Sequence, residues 1–150
     1  MAKHVNGLWP NESQERIPLI RILVATVLAI VAAIVANIIV FVIGDAAGAF
    51  PDNYRFSPPG GGETSMGIGN VILSTFSFLA VGGIVFAIVS RLSRRPVRIF
   101  LYVAAAALVL SFFQPFTLQD APGDMVVFLL LMHVAAAVVG VLVMLRLAVR

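Results

Sequence analysis

Residues 22–44 read ILVATVLAIVAAIVANIIVFVIG, twenty-three positions between Arg21 and Asp45 without a charged side chain. A bilayer core of ~30 Å needs ~20 apolar residues in a helix. The stretch is long enough to cross. It also lacks the strict polar–apolar alternation of a barrel strand. In hydrocarbon, a helix is then the form that satisfies its own backbone. The pattern recurs three times. There are 27 uncharged residues between Glu63 and Arg91, 21 between Arg98 and Asp120, and 21 between Asp124 and Arg146. All are rich in Val, Leu, Ile, Ala and Phe.

Prolines punctuate these spans. Pro18, Pro96 and Pro122 can open the first, third and fourth helices. Pro115 ends the third or kinks its last turn. The expected fold is all-α: an integral membrane four-transmembrane-helix bundle, up-down and antiparallel, forming one domain. Its helices are expected at about 18–43, 66–91, 96–114 and 122–146.

Composition leads to the same class. The chain is 61% hydrophobic and 11% charged, against ~25% charged in soluble domains. That excludes an ordinary soluble domain, and disorder with it. The absence of cysteine excludes disulfide frameworks, thiol redox chemistry and thiolate metal sites. Ala47-Gly48-Ala49 has the small-x-small form of a signal cleavage site. A secretory apolar core runs ~7–15 residues, however, so an uncleaved first helix is expected.

The net charge is +3 and the sequence pI is about 10.2. Position matters more than the sum. Lys3, Arg16, Arg21, Arg91, Arg94, Arg95, Arg98, Arg146 and Arg150 fall in alternate connections and therefore on one side. Arg55 falls on the other side, with Asp45, Asp52, Glu63, Asp120 and Asp124. The positive-inside rule then predicts a multi-pass protein of the cell membrane with both termini cytoplasmic. Arg91, Arg94, Arg95 and Arg98 are expected to contact anionic lipid headgroups. Nucleic acid is not an expected partner, because Arg91 to Arg98 is too short to form a binding domain.

The connection between the second and third helices is tight, which makes them antiparallel neighbours. The connection near Gln114 to Pro122 is also short. The first loop, about 45–65, holds the run Pro58-Pro59-Gly60-Gly61-Gly62 and reads as a flexible linker. Phe50, Tyr54 and Phe56 are expected at the outer headgroup level, and Trp9 at the inner one.

Small residues mark packing faces. Ala25, Ala29, Ala33 and Asn37 repeat every four residues along helix one. Gly83 and Ala87, Ala107 and Ser111, and Ala136 and Gly140 repeat the spacing in the other three. Such ridges let backbones approach closely where lipid supplies no hydrophobic drive.

No catalytic motif stands out, and no enzyme activity is expected. The spans hold no Asp, Glu, Lys or Arg, the usual carriers of protons and cations. The polar residues that remain are Asn37, Ser74, Thr75, Ser77, Ser111, Gln114 and His133. At ~1.5 Å per residue, Asn37, Ser74, Thr75 and His133 lie about 10–12 Å from the outer boundary. Two readings follow. One is an outer-leaflet pocket of Asn37, Ser74, Thr75, Ser111, Gln114 and His133, with His133 as its ligating or titratable group. The other is an interhelical hydrogen-bond layer in which a neutral His133 bonds to Asn37, Ser74, Thr75 or a backbone carbonyl. A haem with two histidine ligands is not expected, because the second histidine, His4, precedes the first span. One histidine is too few for a metal centre, so no metal and no cofactor are expected.

Ser90-Arg91-Leu92-Ser93-Arg94-Arg95, Leu110-Ser111-Phe112-Phe113-Gln114-Pro115 and Leu131-Met132-His133 resemble a family of small bacterial four-helix membrane proteins of unknown function. The shared features are a basic inner loop, a Ser-x-x-x-Pro ending helix three, and Leu-Met-His in helix four. The resemblance implies this fold and a bacterial inner-membrane setting, and it draws attention to Ser111, Pro115 and His133. It implies no activity. Thiol-oxidising membrane enzymes need cysteine pairs, and small multidrug exporters need a glutamate in helix one, where this chain has only Asn37. The expected role is an accessory or scaffold protein acting through helix–helix association, with membrane lipids, a second copy or a larger membrane protein as partner. The alternative is a binder or permease for a small uncharged or lipid-like molecule, using the polar pocket around His133.

Overall fold

The computed structural model describes residues 17–57 and 61–149. Lys3, His4, Trp9, Arg16, Arg150 and residues 58–60 lie outside the described residues, and so do the expectations placed on them. The helices are α1 (Leu19–Ala46), α2 (Ile68–Leu92), α3 (Pro96–Ser111), the single turn α4 (Phe113–Phe116) and α5 (Gly123–Ala148). Four segments are long and apolar enough to cross a membrane, α3 and α4 together making the third. The protein is an all-helical, multi-pass membrane protein.

Antiparallel succession gathers Arg21, Arg91, Arg94, Arg95, Arg98 and Arg146 at one end of the bundle, hereafter the basic end. Asp45, Asp52, Arg55, Glu63, Asp120 and Asp124 gather at the other, the acidic end. α1 packs on α2 and α5, and α3 packs on the same two helices. Among the described residues α1 and α3 do not meet, so they occupy opposite corners.

Close packing rests on small residues set against large ones. Ala25, Ala29 and Ala33 are fully buried along α1, and Asn37 is nearly so. Gly83 of α2 lies against Thr26 of α1: a Cβ there would sit 2.6 Å from Thr26 Oγ1 and closer still to its Cγ2. Gly140 of α5 receives Leu79 of α2, whose Cδ2 would lie 2.5 Å from an added Cβ. Ala136 is buried on the same stripe of α5. Lipid tails are as apolar as these side chains, so the gain from such fits is dispersion and close approach rather than release of water.

Three apolar clusters stack along the bundle. The basic-end cluster joins Ile22, Ala25, Ala29, Phe86, Phe100, Met144 and Ala148. The middle one joins Ile30, Ala33 and Leu79. The acidic-end one joins Phe41, Phe50, Val71, Met125, Leu129 and Met132 with Ala49. α3 contributes little. It buries one side chain, Phe100, which lies against Phe86 with ring centroids 4.6 Å apart.

The long loop begins in a defined way. Gly48 takes φ +76°, and the amides of Gly48 and Ala49 donate to the carbonyls of Asp45 (2.9 Å) and Gly44 (2.9 Å). This is a Schellman stop, which a glycine in the left-handed region allows. Ala47-Gly48-Ala49, the run shaped like a cleavage site, thus forms the turn that ends α1. It returns the chain over Gly44, so that Phe50 is buried and stacks on Phe41 at 4.9 Å. Further on, Tyr54 donates its hydroxyl to the carbonyl of Gln119 (2.9 Å). Phe56 and Thr64 form a two-bond bridge across the loop at 3.0 and 2.9 Å. The arms flanking residues 58–60 are therefore tied to each other and to the α4–α5 connection.

Pro115 acts as expected. It has no N–H for the carbonyl of Ser111, four residues earlier, and α3 stops at Ser111. The chain turns at Phe112 and resumes as α4 with Pro115 buried.

Candidate polar site, apolar cleft and basic loop

The six polar residues read as one pocket divide into separate sets. The Asn37 amide nitrogen donates to Thr75 Oγ1 at 2.9 Å across the α1–α2 interface. Both side chains are buried, and Asn37 Oδ1 has no partner among the described residues.

His133 belongs to a different interface. Its Nδ1 lies 2.6 Å from the carbonyl of Leu129. A carbonyl only accepts, so Nδ1 carries the proton. Nε2 lies 3.3 Å from Gln114 Oε1 on α4. An amide oxygen only accepts, so with Nδ1 carrying the ring's proton the contact is a hydrogen bond when the Gln114 amide is turned to present its nitrogen to Nε2. The break at Pro115 is what brings Gln114 within reach of α5.

Of the partners expected for His133, a helix backbone carbonyl is the one it takes, and bonds to Asn37, Ser74 or Thr75 do not form. The reason is helical phase. The buried stripe of α5 runs Met125, Leu129, Met132, Ala136, Gly140, Met144. His133 is one residue, ~100°, off Met132, on the row that continues through Ala137 and Val141. That row faces α3. Ser111 closes a local bond to the carbonyl of Leu108 (2.7 Å), and Ser74 and Ser77 are exposed on α2. Such back-bonding is a common resting state of serine in a helix. No group of metal-ligating side chains occurs among the described residues.

The sequence analysis did not anticipate an apolar cleft. A cleft of about 110 Å³ runs between α2, α3 and α5, lined by Phe78, Gly82, Phe100, Ala104, Ala107 and Ala137 among others. The signal was present in the run Ala104-Ala105-Ala106-Ala107, four small residues in a row that cannot fill the space facing two neighbours. One turn towards the acidic end from Phe78, Ala107 and Ala137 stand Ser74, Ser111 and His133. Polar side chains therefore follow the cleft on all three of its walls. At the basic end, the link Ser93–Arg95 joins two of the walls. Arg91, Arg94, Arg95 and Arg98 are exposed there, and no acidic side chain among the described residues shares that end.

No curated protein and no solved structure matches this chain significantly. A family model described as a family of unknown function (DUF6069) matches residues 18–150, from the residue before α1 through the end of the fourth span. The chain therefore belongs to the DUF6069 family, a family of unknown function.

Proposed function

We propose that the protein is a non-catalytic accessory or scaffold protein of a bacterial inner membrane. It acts by offering the outer face of α3 to a helix of a second chain, either another copy or a larger membrane protein. The observation that carries this reading is the poverty of packing on α3. It buries Phe100 alone, whereas α1, α2 and α5 each bury a continuous stripe. Tyr102 (70% exposed), Val109 (58%) and Phe113 (66%) form an outward row on this span. Ala105 and Ala106, the two exposed alanines of the run, lie beside this row and make close backbone approach possible, which is a main source of helix affinity in lipid.

A photo-crosslinking residue at Val109 in intact cells tests this. An adduct of defined mass, absent when the same residue replaces Ile39 on α1, is the expected result. Crosslinks to lipid alone at both positions would overturn the reading.

The insertion that fits this role puts the basic end and both termini in the cytoplasm, supported by the arginines at one end. The acidic residues Glu12 and Glu15 also precede the first span, but acidic residues weigh little in the rule. The chain has no native cysteine, so single cysteines report cleanly. Ser57→Cys should react with an impermeant thiol reagent in whole cells, and Ser93→Cys only after lysis. The reverse pattern would invert the orientation.

The second reading, a binder or permease centred on His133, draws on the His133–Gln114 pair facing α3. The separation of Asn37 and Thr75 into another interface weighs against it, since those groups do not converge on the same space.

A further inference from the structure

The cleft between α2, α3 and α5 differs from the other surfaces of the bundle in three respects. Its walls are apolar throughout. It fits within one leaflet: its lining on α3 runs from Phe100 to Ala107, seven residues or ~10 Å, against ~15 Å for half of a ~30 Å hydrocarbon core. At that depth the row is continued by Ser111, Ser74 and His133. Arg91, Arg98 and Arg146 stand at the same end of the bundle, but at ~100° per residue they lie on faces of α2, α3 and α5 turned away from the lining residues. Arg94 and Arg95 lie in the link that joins α2 to α3. All five are exposed.

We propose that this cleft is a binding site for one acyl chain of an anionic phospholipid, whose phosphate lies on the arginine loop. The site goes beyond the association surface on α3, because it occupies the inward side of that helix. Filling the cleft restores the dispersion contacts that its lining otherwise lacks. An acyl chain gains no hydrophobic energy by leaving the bilayer for an equally apolar groove. Selectivity therefore comes from the headgroup, where the exposed Arg94 and Arg95 favour negative charge and no acidic side chain among the described residues shares that end. A partner helix is the other conceivable occupant, but a cleft of about 110 Å³ is far too small to seat one, and a helix brings no negative charge to the arginines.

The test is retention of phospholipid by the purified protein, read by native mass spectrometry after release from mild detergent. Phosphatidylglycerol and phosphatidylcholine of identical chains are compared. The wild type should keep one phosphatidylglycerol and release phosphatidylcholine. Replacing Arg94, Arg95 and Arg98 together by Gln should lower the preference by roughly 100-fold, from the surface-charge contribution of three side chains. Ala104→Phe, which fills the cleft, should remove the bound lipid. A second measurement needs no variant. Phosphatidylglycerol carrying a diazirine in its chain should label the wild type at Val103, Ala104, Ala107 and Ala137. Equal retention of both lipids, or labelling spread evenly over α1 and α3, would overturn the proposal. So would a photo-crosslinking residue at Gly82 that yields an adduct with a protein instead of with lipid.

Discussion

Gly82 and Gly83 are neighbours in α2, yet substituting each with alanine should move stability in opposite directions. A Cβ on Gly82 meets nothing within 4 Å, since it points into the cleft. In a helix, alanine is favoured over glycine by ~0.8–1 kcal/mol, so Gly82→Ala should stabilise by roughly that amount. A Cβ on Gly83 would lie 2.6 Å from Thr26 Oγ1, about 1 Å inside the ~3.5 Å of an unstrained contact. Thr26 cannot yield easily. It is β-branched, which restricts its χ1, and its hydroxyl donates to the carbonyl of Ile22 at 2.7 Å. α1 and α2 would have to separate instead. Overpacking of this kind costs about 1–3 kcal/mol. The two variants should thus differ by roughly 2–4 kcal/mol when both effects are combined. Reversible unfolding in mixed micelles, followed by circular dichroism, measures the difference. Thr26→Ala should rescue Gly83→Ala in part, leaving only Thr26 Cβ at 3.0 Å from the new methyl, and should leave the effect of Gly82→Ala unchanged. Equal shifts for the two glycines, or additivity between Gly83→Ala and Thr26→Ala, would refute the close-contact reasoning.

Other positions give further expectations. Ala29 is fully buried on α1, so Ala29→Leu should lower stability by about 1–3 kcal/mol through overpacking, whereas Ile39→Ala on the exposed face should leave the unfolding midpoint unchanged. Asn37→Ala should cost on the order of 1 kcal/mol by removing the bond to Thr75, and Thr75→Val should cost a similar amount; a double-mutant cycle that returns no coupling would show that the bond contributes nothing. His133→Gln can still bond to Gln114 and should keep near-wild-type stability, while His133→Ala should lose about 0.6 kcal/mol; equal midpoints for the two variants in the same melts would contradict the pairing.

The four spans were legible because absence of charge over some twenty residues has few explanations in a folded chain. Pro115 was legible for a similar reason: beyond the first turn, a missing N–H interrupts a helix. The close fits at Gly83 and Gly140 were only half legible. Spacing identified the small residues but not Thr26 and Leu79, the side chains that fill them, because partner choice depends on the rotation of both helices. The same limit explains the polar residues. Depth along the span placed Asn37, Thr75 and His133 at one level, but depth carries no information about azimuth, and ~100° per residue put His133 on the α3 side. The order in the long loop was hidden for another reason. Proline and glycine dominate its composition, while the features that tie it down are Phe50 over Gly44 and Tyr54 on Gln119, contacts between residues distant in the chain.

The most direct test of the role assigned to α3 is the oxygen accessibility of nitroxide labels placed singly at Tyr102, Val109 and Phe113, compared with labels at Val35, Ile39 and Val42 on the exposed face of α1. The account predicts that the α3 labels are shielded in native membranes and become as accessible as those on α1 once the protein is purified as a monomer in detergent. Accessibility on α3 equal to that on α1 in the native membrane would mean that lipid alone covers this helix, and the association role would be contradicted.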